Sequence, residues 1–298
     1  MNSTLYKYRG NSEFTNNIFL EQKIWLSNAE GLNDPFECTI QEIAKEYIDK
    51  QVKEMMEAHI MGFVHSSKMN PDPSKSAILK KIRKVKTLTH QHKIVRDAYK
   101  KYAGTTISNP INTFKNFDKQ LQKVGIFSLT ENPLNELMWA HYGENSKGIA
   151  IGFSIAKNSL LTNEDKCLKV DYSDELPKFD SDGFILETSL YSNGTNKQKI
   201  AFHDSTFKKA ISTKSKSWEY EKEWRYVEEN SGAYPLPSEI TEIIFGLKTD
   251  EKTQKKYFSL VKKLPNFKEV KFYKIQKIPN SNKLERIEIK AAANTVYN

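Results

Sequence analysis

Apolar residues recur at two different spacings along the chain, and the change from one to the other divides the sequence. Side chains at alternate positions share one face of a strand, whereas spacings of three and four share one face of a helix. By that rule LYKYR (Leu5–Arg9) is a strand, FTNNIFLEQ (Phe14–Gln22) a helix and KIWLS (Lys23–Ser27) a second strand, followed by the loop NAEGLNDPFE (residues 28–37). From about Gln41 to Lys123 the pattern turns helical and charged, broken only at SSKMNPDPSKS (residues 66–76), where two prolines mark a loop. Strand-like spacing returns at VGIFSLT (Val124–Thr130), KGIAIGFSI (Lys147–Ile155), KCLKVDY, EWRYVEE, ITEIIFG, EVKFYKI and ERIEIK. ENPLNELMWAHYGEN (residues 131–145) holds a short helix expected to start near Asn132 or Pro133. SLYSNGTNKQK (Ser189–Lys199) reads as a loop, and KIAFHDSTFKKAISTKS (Lys199–Ser215) as a helix. Short strands mixed with helices, without regular alternation, predict a single α+β domain over residues 1–298, with a helical, basic insertion at 41–123.

Composition narrows the class. With 298 residues, 38% hydrophobic and 28% charged, the chain has the make-up of a globular protein with a sizeable core. No apolar run reaches the roughly 18 residues of a spanning helix, and MNSTLYKYRGNSEF has no signal-peptide core, so the expected place is the cytoplasm, away from membranes. Cys38 and Cys167 stand far apart, which argues against a disulfide framework or a cysteine-rich metal site.

The formal net charge is +9, and it is localised. Between Lys80 and Lys101 nine basic residues, Lys80, Lys81, Arg83 and Lys84 among them, face Asp97 alone. Ile78, Ile82, Val85, Leu88, Val95 and Tyr99 recur there at helical spacing, so the segment predicts an amphipathic helix or helix pair with a basic outer face. Such a face is either merely solvated or a surface for nucleic acid or another polyanion.

Several familiar chemistries have no signature here: GxxxxGK[ST], GxGxxG after a strand and HExxH are all missing. His90 and His92 lie two apart, a spacing that points helical side chains away from each other, and no metal site is expected. Four places remain. Lys7 and Arg9 share a face of the opening strand, where an arginine can clamp a phosphate. Asn33, Asp34 and Glu37 lie in the NDPFE turn, whose Phe36 is expected to anchor in the core. MWAHYGENSKG brings Trp139, His141 and Tyr142 together ahead of a strand. KSWEYEKEWRYVEE, read as extended, projects Glu219, Glu221, Glu223 and Arg225 one way and Trp218, Tyr220, Trp224 and Tyr226 the other.

The segments LYKYR, LSNAEGLNDPFE, GIFSLTENPLNELMWAHYGENSKGIAIGF, KVDY, KSKSWEYEKEWR and IIFGLK together resemble the bacterial domain-of-unknown-function family DUF2971. In a weaker way their order is similar to the ADP-ribosyltransferase superfamily, including its DarT-type enzymes. That superfamily carries a basic or aromatic residue on a first strand, a tyrosine or serine mid-chain and a glutamate on a late strand. The similarity implies a mixed, mostly antiparallel sheet and NAD as substrate. Lys7, Arg9, Trp139, His141, Tyr142 and Arg225 would bind NAD, Glu223 with Glu221 would be catalytic, and Asn33, Asp34 and Glu37 would contact the acceptor. Many relatives carry histidine on the first strand, where this chain has LYKYR. Arg9, His141, Tyr142 and Glu223 are accordingly expected in one cleft. Two other classes fit the same residues: a nuclease binding Mg²⁺ through Asp34, Glu37, Glu221 and Glu223, and a nucleotide sensor without turnover.

Overall fold

The opening strand, Thr4–Arg9, lies in the middle of an eight-stranded sheet. The computed structural model describes residues 4–180, 184–190 and 196–290. Across the sheet the strands run Leu284–Glu288, Lys271–Lys277, Ile240–Phe245, Ile149–Ser154, Thr4–Arg9, Gly125–Thr130, Glu223–Glu228 and Cys167–Lys169. All neighbours pair antiparallel except Ile240–Phe245 with Lys271–Lys277. That parallel pair needs a crossover, which the helix Glu251–Lys262 supplies; Asp250 caps it by accepting the Thr253 N–H at 2.7 Å. The fold is thus α+β with a mixed, mostly antiparallel sheet.

Alternation along the strands builds two apolar layers. Leu5, Phe127, Leu129, Ile151, Phe153, Tyr226 and Ile243 pack with Ile18 and Phe19 of the helix Glu13–Leu20 and with Tyr257, Phe258 and Val261 of the crossover helix. A second cluster contains Tyr6, Tyr8, Ala150 and Ile244, closed by Met138 and Trp139 from the helix Glu136–His141.

The pairing is incomplete at one place. Thr4–Arg9 matches Ile149–Ser154 over its whole length, from Thr4↔Ser154 to Arg9↔Ile149. With Gly125–Thr130 on its other side it shares the single register pair Tyr6↔Thr130. Ile126 exchanges both backbone hydrogen bonds with Ser27 instead, at 2.8 and 2.9 Å. The two central strands therefore part beyond Tyr6, and the Ser128 carbonyl accepts from the Lys7 ammonium at 2.9 Å.

Where a single domain with an insertion was expected, the chain divides into two compact units. The first takes in residues 1–38, 122–175 and 212–298, and the second Thr39–Leu121 with Leu176–Ile211. In the second, the helices Lys45–Met69, Pro73–Lys84 and Leu88–Tyr102 bury Phe63, Ile78, Ile82, Val95 and Ala98 together. Lys80, Lys81, Arg83 and Lys84 are exposed on the middle helix, as the amphipathic pattern predicts.

Local differences from the sequence reading have physical reasons. Residues 189–199, read as a loop, lie partly in an antiparallel hairpin, Leu186–Leu190 with Asn196–Ile200; polar strands carry no apolar alternation to betray them. The helix expected over Lys199–Ser215 runs only from Ser205 to Ser212, because Asp204 accepts the N–H groups of Thr206 and Phe207 and starts it late. Likewise Asn135, accepting from Leu137 and Met138, starts the short helix at Glu136 and not near Asn132. Phe36 is 66% exposed where a core anchor was expected; the turn buries Asp34, Glu37 and Cys38 instead.

Candidate functional site

The late glutamate-rich stretch is not one strand. Lys216–Glu221 forms a 3₁₀ helix, Lys222 adopts φ 45° in the left-handed region, and the strand begins at Glu223. The alternation expected to align four charged side chains therefore holds only for Glu223 and Arg225. Glu219 is exposed, while Glu221 reaches the same cluster by the turn at Lys222.

Three buried carboxylates and two buried cations interlock there. The Lys214 ammonium stands 3.2 Å from Glu37, 2.7 Å from Glu221 and 3.1 Å from Glu223. Arg225, fully buried, donates through Nε to Glu223 at 3.1 Å and through a terminal nitrogen to Glu37. Tyr172 fixes the start of the strand by accepting the Glu223 N–H at 2.8 Å. Burial alone would raise the Glu223 pKa, but Arg225 and Lys214 overcome it and hold the carboxyl down at about 2. Burial wins at Glu37, whose pKa is raised despite Arg225 and Lys214. For Lys214 the three carboxylates outweigh burial and keep the ammonium charged.

Beside this cluster, in the gap between the two central strands, lies a cavity of about 250 Å³. Lys7, Arg9, Lys214, Glu221, Glu223 and Glu37 line it, with Tyr142, Asn33 and Trp25 also in the wall. Tyr142 bridges the turn and the cluster: its hydroxyl donates to Glu221 at 2.6 Å and accepts from the Asn33 amide at 2.8 Å. Burial, then the Glu221 carboxylate, raise the pKa of this phenol. Lys7 lies over the Phe127 ring, and burial followed by repulsion from Arg9 lowers its ammonium to about 7. The buried Nε of Arg9 has no hydrogen-bond partner among the described residues, and burial lowers the guanidinium pKa. Neither residue of this pair forms an ion pair with a carboxylate among the described residues.

Most of the residues singled out from sequence converge here: Lys7, Arg9, Asn33, Glu37, Tyr142, Glu221 and Glu223 line the cavity, with Arg225 directly behind. Three do not. Trp139 is core: it meets the Tyr8 ring edge-on at 4.8 Å and donates to the Pro133 carbonyl. His141 is exposed at the end of its short helix and is not part of the wall. Asp34 closes its own turn, accepting from the N–H of Phe36 at 3.0 Å and of Ser215 at 3.4 Å. Sequence reasoning missed Lys214 and Trp25. Lys214 was absorbed into a helix expected to run through it, although it opens the KSKSWEYEKEWR segment. Among the described residues no group of three His, Cys, Asp or Glu side chains is arranged to hold a metal ion. The Lys214 ammonium occupies the place between the glutamates that a cation would take.

Residues 138–226 match a family described as protein of unknown function (DUF2971), which supports that resemblance over this span. The matched span carries Tyr142, Lys214, Glu221, Glu223 and Arg225, and leaves out the strand bearing Lys7 and Arg9. No curated protein and no solved structure matches the chain.

Proposed function

We propose that the protein is an ADP-ribosyltransferase-like enzyme that uses NAD as substrate and modifies a macromolecular acceptor. The observation that carries this reading is the mixed polarity of the cavity wall: Lys7 and Arg9, which form no ion pair among the described residues, share it with Glu221 and with Glu223, whose carboxyl Arg225 and Lys214 hold ionised. The phosphates of NAD call for the cationic pair, and the ribose hydroxyls for the carboxylates. NAD supplies a glycosidic bond whose breaking gathers positive charge on the sugar, which a fixed carboxylate stabilises.

Lys7 and Arg9 would hold phosphate, and Tyr142 would orient the sugar. Between the carboxylates the division of labour differs from the first expectation. Both oxygens of Glu223 are engaged by Arg225 and Lys214, so Glu223 is a positioning residue. One Glu221 oxygen is held by Lys214, and the other, among the described residues, bonds only to the Tyr142 hydroxyl, a contact a ligand hydroxyl can replace. Glu221 is therefore the carboxylate that meets the substrate. At about 250 Å³ the cavity is smaller than most small-molecule sites, roughly 300–1,000 Å³, and suits the reacting half of NAD. As for the acceptor, the exposed row Lys80, Lys81, Arg83 and Lys84 favours a polyanion such as nucleic acid.

The test is incubation of the protein with labelled NAD and separate pools of protein, DNA and RNA. The expected result is transfer of label to one pool with release of nicotinamide, lost in Glu221→Gln while NAD binding persists. Absence of nicotinamide release in the unmodified protein removes the reading.

A further inference from the structure

Trp25 is the one large aromatic of the cavity wall that the chain leaves exposed, at 61% of its surface. Its place follows from its strand. In Lys23–Leu26 the alternate residues Ile24 and Leu26 are buried in the core, so Trp25 must face the other way. On the paired strand its register partner is Ala233, too small to cover an indole. Among the described residues no ring or cation lies against Trp25, and its Nε1–H has no acceptor. The other three tryptophans are otherwise engaged: Trp139 is buried, Trp224 donates to Glu131 and Trp218 lies against the Lys214 ammonium.

An uncovered indole is costly in water and useful against a planar ring. Stacking on the face of a base suits it, and any base offers such a face. Its neighbours in the same wall include Lys7 and Arg9. Arg9 adds a donor nitrogen that is already out of water and has no partner among the described residues, a group that gains most from an anion. The cavity therefore offers a flat apolar face and a cationic pair that forms no ion pair among the described residues within one small space, which are the two halves of nucleotide recognition.

We propose that Trp25 is a stacking platform for the heteroaromatic base of a nucleotide whose phosphate is held by Lys7 and Arg9. The inference rests on the NAD reading for its biological meaning, but base stacking and phosphate binding stand without any glycosyl transfer. It assigns to Trp25 a role in choosing ligands that carry a base over ligands that carry only a sugar phosphate.

Titration calorimetry with AMP and with ribose 5-phosphate tests it, on the full chain and on Trp25→Ala, Trp25→Phe and Arg9→Gln. AMP is expected to bind the unmodified protein, and Trp25→Ala to weaken it about 5- to 160-fold, the range of base–aromatic stacking. Trp25→Phe should recover most of that loss. Ribose 5-phosphate should be indifferent to Trp25→Ala and be weakened by Arg9→Gln. Failure of AMP to bind, equal AMP affinity with and without the indole, or an equal loss for ribose 5-phosphate each overturns the proposal. An unshifted melting temperature in Trp25→Ala shows that a loss belongs to the ligand and not to the fold. AMP binding that depends on Trp25, in a protein that releases no nicotinamide from NAD, sustains the base site and removes the transferase reading alone.

Discussion

Replacing Arg225 with methionine removes one of the two cations that neutralise Glu37 and Glu223 and keeps an apolar side chain of similar length. Its expected cost can be worked from the site. Glu223 is held at about 2 against an ordinary 4.5, and at about 1.4 kcal/mol per pKa unit this difference contributes about 3 kcal/mol at neutral pH. Breaking a buried ion pair from one side costs about 3–5 kcal/mol by independent measure, so the two figures agree. Because its folded-state pKa is depressed, Glu223 contributes stability that is present above 4.5 and lost as the pH falls toward about 2. Without the guanidinium the carboxyl pKa rises, and the stranded charge can be relieved by protonation. The deficit of Arg225→Met should therefore be largest near neutral pH and shrink as the medium is acidified. Scanning calorimetry at about pH 7 and about pH 4 reads this out, with an expected fall of about 5–8 °C at the higher pH. A fall of under about 2 °C, or a deficit of the same size at both values, would refute the account of a cluster held together by charge neutralisation.

Three further outcomes follow from the geometry. Lys7, lowered from 10.5 to about 7, should be acylated with a midpoint near that value in mass-spectrometric labelling; since the unfolded chain keeps this proton longer, folding should gain stability as pH rises between the two values, and a labelling midpoint near 10.5 counts against the buried setting. Gly148→Ala places a Cβ 2.1 Å from the Arg9 carbonyl oxygen, so the end of the opening strand must shift, at a cost of about 1–3 kcal/mol in denaturant unfolding together with weaker AMP binding; unchanged stability contradicts the close approach. Changing Lys80, Lys81, Arg83 and Lys84 to glutamine should flatten the salt dependence of nucleic-acid binding by about 0.9 for every phosphate no longer neutralised, leaving stability within about 0.5 kcal/mol, and an unaltered slope in anisotropy titrations leaves those residues as a solvated face.

Local patterns were legible in the sequence, and pairings across the chain were not. Ile78, Ile82 and Val95 announced the basic helix pair, and Leu5 with Lys7 and Arg9 announced the opening strand, because periodicity records which side of an element is covered. Nothing local records that Glu37 will meet Arg225, or that Thr4–Arg9 will part from Gly125–Thr130 after one pair. For the same reason Lys214 looked like one more residue of an amphipathic helix: its significance lies in Glu37 from a distant turn, and in Glu221 and Glu223, which only the turn at Lys222 brings back to it. The crossover helix Glu251–Lys262 was missed although Asp250 caps it and Tyr257, Phe258 and Val261 mark its buried side. Trp25 escaped notice because an exposed tryptophan and a core tryptophan look alike in a strand of four residues.

The ion pair between Glu37 and Arg225 joins residues 188 positions apart. At a synthesis rate of roughly 5–20 residues per second, the glutamate of a nascent chain waits about 10–40 s before its guanidinium is made. Lys214 arrives only slightly sooner. Through that interval the turn that buries Glu37 in the finished protein has no arginine to receive it, although Gly125–Thr130 and Ile149–Ser154, the neighbours of the opening strand, are made earlier. Closure of the cavity is thus a late step of biogenesis, and a chain truncated anywhere before residue 214 carries Lys7 and Arg9 without Lys214, Glu221 and Glu223 of the same wall.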